Sequence, residues 1–281
     1  MKLCLSSCLA VPVLLLAVAV SACNTPGKPE QGNAGTSAKL TRSPGYDMKR
    51  FEKVYNQGKN PGDEESYCRM SYPVFSGSTA AEAINRTVES YIADSTALSP
   101  SEGYSGPRTT EALAGKFLKD FETFRQETDM GLPYQFDLKG SVLLNNGNVL
   151  TLEMSSYAYT GGAHGMDMTV YLVFDAATGR RLSIADVFAS GFDGRLGSLI
   201  ETRFRQEKGL SPDERLDSEK GGLFENRIGV TPNFALTARG VRFLYNPYEI
   251  APYASGPVEI ELLYSELDGL LKPEYRNMLR D

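Results

Sequence analysis

Between Phe136 and Asp175 the chain carries three consecutive segments rich in Val, Leu, Phe and Tyr and bounded by turn residues: Phe136 to Leu144, Val149 to Tyr159 and Met166 to Asp175. Such composition between turn signals argues for strands rather than helices. Asn145-Asn146-Gly147-Asn148 separates the first two, and Asn and Gly tolerate the positive φ that a tight hairpin turn requires. An antiparallel sheet with one covered face and one solvated face is therefore the frame that the rest of the chain must fit.

The flanking segments supply the cover. Glu65 to Val74 alternates as a further strand, with Cys68, Met70 and Tyr72 on its apolar side. Thr79-Ala80-Ala81-Glu82 has the form of a capping box, opening a helix with Ile84, Val88, Tyr91 and Ile92 on one face. A second helix follows Pro107, with Leu113, Phe117, Phe121 and Phe124 at helical spacing, and Gly131 and Pro133 end it. After a Thr178-Gly179 turn, Ser183-Ile184-Ala185-Asp186 is a capping-box-like start for a helix bearing Leu196, Leu199, Ile200 and Phe204. The last strands run through Phe234 to Leu236, Val241 to Tyr245 and Val258 to Tyr264, with a turn at Arg239-Gly240. A short helix from Ser265 to Leu271 stops before Pro273. Strands and helices do not alternate regularly, so the fold class is α+β, with antiparallel β-sheets and amphipathic helices packed on one side. Two subdomains, residues 46–137 and 138–281, are expected.

The N-terminus gives an address. Lys2 precedes an unbroken apolar run from Leu9 to Val20, and the small residues Ser21 and Ala22 lead into Cys23. The run of 12 residues falls short of the roughly 20 that a membrane-spanning helix needs. Residues 1–22 thus read as a lipoprotein signal peptide with Cys23 as the acylated terminus, and two or three acyl chains of palmitate type hold a protein on a lipid bilayer without a helix. Asn24 lacks the aspartate that marks inner-membrane retention, which favours an outer membrane and a periplasm-facing body. Asn24 to Gly45, nearly free of apolar side chains, forms a flexible tether.

Of four cysteines, Cys4 and Cys8 leave with the signal peptide and Cys23 carries lipid. Cys68 then has no disulfide partner and reads as a small buried hydrophobe. The formal net charge is −6, and losing Lys2 makes the mature body more acidic still. Without a basic stripe, this charge argues against nucleic acid or an anionic membrane surface as a partner and is compatible with a cationic one.

The most distinctive stretch is Tyr157-Ala158-Tyr159-Thr160-Gly161-Gly162-Ala163-His164-Gly165, between two strands and holding the single histidine of the chain. Gly161 and Gly162 mark a turn that needs positive φ or close approach. His164 is either a hydrogen-bonded turn residue or, with Tyr157 and Tyr159, part of an aromatic and polar binding surface. A metal role for His164 and Asp167 is not supported, because two candidate ligands do not make a site. A second loop, Tyr248-Glu249-Ile250-Ala251-Pro252-Tyr253-Ala254-Ser255-Gly256-Pro257, is preorganised by its prolines, as either a packed corner or a recognition edge offering Tyr248 and Tyr253.

These two motifs, in this order and with Phe174-Asp175, Thr178-Gly179 and Asp186-Val187-Phe188 between them, resemble the paired extracellular domains of RsiV-type anti-sigma factors and PdaC-type peptidoglycan deacetylases. The resemblance covers most of residues 46–275 and implies a PdaC-like N-terminal and an RsiV-like C-terminal α+β subdomain. In PdaC-type enzymes the chemistry sits in a separate metal-dependent domain whose histidine pair this sequence lacks. In RsiV-type proteins the outer module recognises lysozyme, a cationic protein. The catalytic templates also fail on inventory: one histidine, no Gly-x-Ser-x-Gly elbow and no phosphate loop. No catalytic residue, metal or cofactor is assigned. The expected function is a non-catalytic envelope binding module for a lysozyme-like cationic protein or a peptidoglycan glycan. A hydrolase or deacetylase with a carboxylate site is the alternative. Substituting Cys23→Ser should abolish palmitate labelling in cells and move the protein from the membrane fraction to the soluble one; unchanged labelling would refute the lipid anchor.

Overall fold

The computed structural model describes residues 43–55, 65–128 and 132–278. The expected signal segment, Cys23, the tether up to residue 42 and the helix-ending Gly131 lie outside them. Ser43–Gly45, at the end of the expected tether, are held against the body: the Ser43 hydroxyl donates to Asn145 O at 3.1 Å, Asn145 Nδ2 to Pro44 O at 2.9 Å and Ser76 N–H to Gly45 O at 3.2 Å.

The fold is α+β with two sheets. The first has five strands in sequence order, β1 (Tyr46–Val54), β2 (Tyr67–Phe75), β3 (Tyr134–Asn145), β4 (Val149–Thr160) and β5 (Met166–Asp175). The second has three: β6 (Phe234–Leu236), β7 (Gly240–Tyr245) and β8 (Val258–Leu263). All neighbours are antiparallel except β2 and β3, which run parallel. That pair departs from the all-antiparallel expectation because two helices, α1 (Thr79–Ser95) and α2 (Thr110–Thr128), intervene and carry the chain back to the end of the sheet at which β2 began. β1 escapes the sequence pattern: it is an edge strand whose residues are largely exposed and charged, so it lacks an apolar alternation. The expected boundary between residues 137 and 138 falls inside β3, and β3, β4 and β5 continue the sheet begun by β1 and β2.

Helices α1 and α2 cover one face of the first sheet. Ile84, Val88, Ile92, Leu113 and Phe117 pack on Cys68, Met70, Tyr72, Phe136, Leu138, Leu152, Met154, Leu172 and Phe174. Cys68 is fully buried, and desolvation pushes its thiol up to about 12, as suits a structural hydrophobe. The cap of α1 is Ser78 rather than Thr79: its Oγ accepts from Ala81 N–H at 3.1 Å, while Glu82 lies 4.0 Å from Arg86 instead of turning back. The box at Ser183 forms, with Asp186 Oδ2 accepting from Ser183 N–H at 2.8 Å, but it opens only α3 (Ile184–Val187). The apolar stripe of Leu196, Ile200 and Phe204 belongs to a separate helix, α4 (Phe192–Lys208), packed on β8. Ser265–Leu270 is a succession of turns closed by bonds to the third residue back, and the last helix, α5 (Pro273–Met278), begins at Pro273, which fits a first helical turn.

The second sheet lies against the other face of the first. A bulge between Val142 and Leu144 turns two successive leucines that way: Leu143 meets Tyr171, Ala235 and Leu244, while Leu144 joins the core around Phe188, Phe204 and Phe243. The outer edge of β5 is completed by side chains. Thr169 N–H donates to Asn246 Oδ1 at 2.8 Å, Thr169 O accepts from Asn233 Nδ2 at 2.8 Å and Asn246 Nδ2 at 3.1 Å, and Tyr171 N–H donates to Asn233 Oδ1 at 2.8 Å. Further along, Leu182 N–H bonds Val173 O at 2.7 Å and Asp175 N–H bonds Arg180 O at 3.0 Å. The Tyr171 hydroxyl also donates to Glu259 Oε2 on β8 at 2.7 Å. Asn246→Ala removes the partner of the half-buried Thr169 N–H and one partner of its C=O, so urea unfolding should show a loss of about 1–3 kcal/mol; a loss below about 0.5 kcal/mol would deny these amides their role in joining the sheets.

Candidate functional site

Alternation along the first sheet fixes which side chains face away from α1 and α2. With Cys68, Phe136, Leu138, Met154 and Leu172 in the helix-side core, the opposite face receives Tyr67, Arg69, Asp137, Tyr157, Tyr159 and Asp167. Register sets them in rows: Glu52, Arg69, Asp137, Tyr157 and Asp167 lie across from one another in turn, and Tyr67, Gln135 and Tyr159 form the next row. Tyr67 and Arg69 were not singled out by sequence reading, although the same alternation that marks Cys68 as buried marks them as outward. The Tyr67 hydroxyl donates to Asp137 at 2.7 Å, the Arg69 guanidinium stacks 3.8 Å over its ring, and burial with the Asp137 carboxylate pushes the phenol up to about 12.

The β4–β5 hairpin tip carries the glycine motif. Gly161 and Gly162 adopt φ of 88° and 101°, as their sequence suggested. The close approach occurs instead at Gly165, where a Cβ would stand 2.3 Å from the Tyr157 ring. Tyr159 spends its hydroxyl inside the tip, donating to Gly162 O at 2.9 Å. His164 is exposed, and its Nδ1 donates to Gly165 O at 2.8 Å. That bond places the proton of the neutral ring on Nδ1 and leaves Nε2 as an acceptor.

The structure brings the two sequence motifs together. The His164 ring stacks on Tyr253 with centroids 4.0 Å apart and planes 17° from parallel, and Tyr253 in turn stacks on Tyr248 at 5.8 Å and 29°. Tyr253 opens a single 3-10 turn, Tyr253–Ser255, in the loop from β7 to β8. Tyr248 is 51% exposed, and it is the one non-glycine residue with positive φ among those described, at 70°. The surrounding turn enforces this: Tyr248 N–H bonds Ala251 O at 3.1 Å, Glu249 N–H bonds Asn246 O at 3.1 Å, and the Glu249 carboxylate accepts from Asn246 N–H at 3.0 Å. A left-handed non-glycine backbone costs about 1–2 kcal/mol. An exposed ring returns little packing energy for that strain.

Phe224, 52% exposed, extends this region: its N–H bonds Ile250 O at 2.9 Å, and it lines a cleft of about 330 Å³ with Glu225, Arg227, Gly229, Glu249 and Ile250. No sequence periodicity marks Phe224. Among the described residues no group of three or more His, Cys, Asp and Glu side chains is placed to hold a metal ion, and Asp167 pairs across the sheet with Tyr157. No described helix is long and apolar enough to cross a membrane.

Comparison with known proteins matches the chain in two parts. Residues 61–167 match the family described as deacetylase PdaC, and residues 185–265 match the protein family of unknown function DUF3298. No curated protein sequence matches the chain. Among solved structures, a DUF3298-family member from Bacteroides fragilis NCTC 9343 superposes with a TM-score of 0.71 at 22% identity, over 86% of this chain and 99% of that one. A DUF3298-family protein from Pseudomonas aeruginosa PAO1 superposes with a TM-score of 0.61, also at 22% identity, over 83% and 97%. At such identity the superpositions establish the fold alone. The two sequence matches, adjacent and in order, identify the chain as one of paired PdaC-like and DUF3298 architecture.

Proposed function

We propose that the protein is a lipid-anchored envelope module that binds without turnover, and that the stacked row of His164, Tyr253 and Tyr248 is its contact platform for a cell-wall glycan. The pairing of PdaC-like and DUF3298 segments points to an extracellular, envelope-related protein. The row itself carries the ligand class. Three rings contributed by two loops offer a run of apolar faces with polar tips, the arrangement that receives the flat C–H faces of successive sugar rings while hydroxyls bond at the edges. Strain held at an exposed aromatic residue is the other support, since backbone strain persists where function needs the side chain displayed. Tyr157 and Tyr159 serve the hairpin that carries His164: the Tyr157 ring fills the space beside Gly165 and the Tyr159 hydroxyl bonds Gly162 O.

A cationic protein such as lysozyme is the second reading. The net charge of −6, with Glu249 exposed beside Tyr248, favours attraction of such a partner to the same surface.

Calorimetric titration of the mature protein with peptidoglycan fragments and with lysozyme tests both. Saturable fragment binding is expected, weakened about five- to tenfold in Tyr248→Ala and Tyr248→Gly alike, as the loss of one stacked ring predicts. Binding of lysozyme alone would select the second reading, turnover of the fragments would assign the hydrolase or deacetylase class, and no saturable binding to either would end the binding-module proposal. The same pair of variants isolates the strain: the Gly form should be more stable than the Ala form by about 1 kcal/mol, because only glycine relieves the left-handed backbone. Equal melting temperatures would show that no strain is stored there.

A further inference from the structure

A second cleft, of about 440 Å³, lies on the helix-covered side, between α1 and the turn that follows β5. Arg86, Thr87, Ser90 and Tyr91 form one wall, and Arg180 and Arg181 belong to the other. Three guanidinium groups and no carboxylate line it, in a chain whose net charge is −6. Three acids stand at the rim: Glu82, 4.0 Å from Arg86, Asp186, 2.8 Å from Arg180, and Asp94, which accepts from Ser90 at 2.7 Å and pairs with Arg108. Among the described residues no carboxylate pairs with Arg181, and Tyr91 is the neighbour that acts on its charge. Desolvation at the cleft wall holds the Arg181 pKa below the usual arginine value, although the residue stays open to solvent. Arg181 is thus an exposed guanidinium with no carboxylate partner among the described residues, free to meet an anion that enters the cleft.

Donor and acceptor accounting narrows that anion. The Thr87 hydroxyl donates to Ala83 O at 3.1 Å and the Ser90 hydroxyl to Asp94 Oδ2 at 2.7 Å, so both protons are spent within the helix. The guanidinium N–H groups are then the charged donors open to a ligand, with the Ser95 hydroxyl on the same lining, so a ligand rich in acceptors is favoured. They reach the space from two walls. A planar carboxylate meets one guanidinium edge-on, whereas a tetrahedral phosphate presents oxygens in both directions.

We infer that this cleft binds a phosphate ester, gripped between Arg86 on α1 and Arg181 on the turn. Its volume exceeds what a bare phosphate fills, leaving room for the esterified group. The ester belongs either to a soluble molecule or to a phospholipid headgroup. Ser43–Gly45 line a separate cleft with Ser76–Ser78, Ala80 and Ala176–Ala177, at the start of the same helix and of the same turn.

The test uses the unacylated mature protein, with glycerol 3-phosphate in calorimetry and, separately, cosedimentation with phosphatidylcholine vesicles with and without phosphatidylglycerol. Saturable binding is expected, weakened about tenfold by Arg181→Gln and by Arg86→Gln, the loss of one charge-assisted contact each. Arg215→Gln, an exposed arginine paired with Asp217 elsewhere, and Tyr248→Ala should bind as the parent does. Binding to the anionic vesicles alone, lost in the two cleft variants, would support the site and assign the headgroup as its source. No binding in either arm, or an equal loss in Arg215→Gln or Tyr248→Ala, would overturn the proposal. Because the Tyr248 surface is probed by different ligands, the failure of one site leaves the other standing.

Discussion

The outer edge of β5 is the constraint on which the arrangement of this molecule depends. A strand at a sheet edge presents unpaired N–H and C=O groups that must be satisfied when buried. Here Asn233 and Asn246 satisfy them with side-chain amides at Thr169 and Tyr171, and residues 180–182 do so with backbone at Val173 and Asp175. An amide offers one acceptor and a donor pair in fixed geometry, so each asparagine stands in for a residue of a neighbouring strand. The second sheet is thereby held where its own strands bring Asn233 and Asn246, and Tyr171 adds a third tie through Glu259.

That junction places the aromatic row. Asn246 is the residue from which the β7–β8 loop departs, and the same side chain that bonds Thr169 precedes the strained turn at Tyr248. Thr169 in turn lies on the strand that leaves the hairpin tip bearing His164. One buried amide therefore fixes the spacing between two loops that meet ring on ring at 4.0 Å. Row and joint are linked through the backbone, so a ligand of the proposed platform would meet three rings already in register and cost little ordering entropy.

The two faces of the first sheet have separate work. The helix-covered face holds the core, and its outer rim at α1 and the β5 turn gathers arginines in a chain that is acidic overall. The other face is split between the second core and an open row of tyrosines and charges. The exposed ion pairs that decorate both, such as Arg69 with Glu52 and Glu65, add little stability in water and serve mainly to set side-chain direction.

Much of this was legible in the chain itself. Alternation for β2, and apolar runs between turn residues for the later strands, located β2 to β8 within a few residues, and the Asn-Asn-Gly-Asn hairpin forms as its chemistry requires, with Asn146 Oδ1 accepting from Asn148 and Val149 N–H at 3.1 and 2.9 Å. Edge strand β1 was not legible, because an exposed strand with charged residues on its open side has no period to detect. The cap at Ser78 and the division of α3 from α4 were missed because capping depends on which residue leaves the helical backbone, and that is settled by how the helix meets the sheet. The parallel β2–β3 pair depends on where a crossover of two helices returns the chain, which local pattern does not encode. Sequence alone determined the two glycine- and proline-bearing loops as candidates, since local backbone requirements are written in residue type. Only the tertiary structure decided that His164, Tyr253 and Tyr248 form one surface and that Arg86 and Arg181 face one cleft, because each set is assembled from segments distant along the chain and joined through the edge of β5 or the packing of α1 on the first sheet.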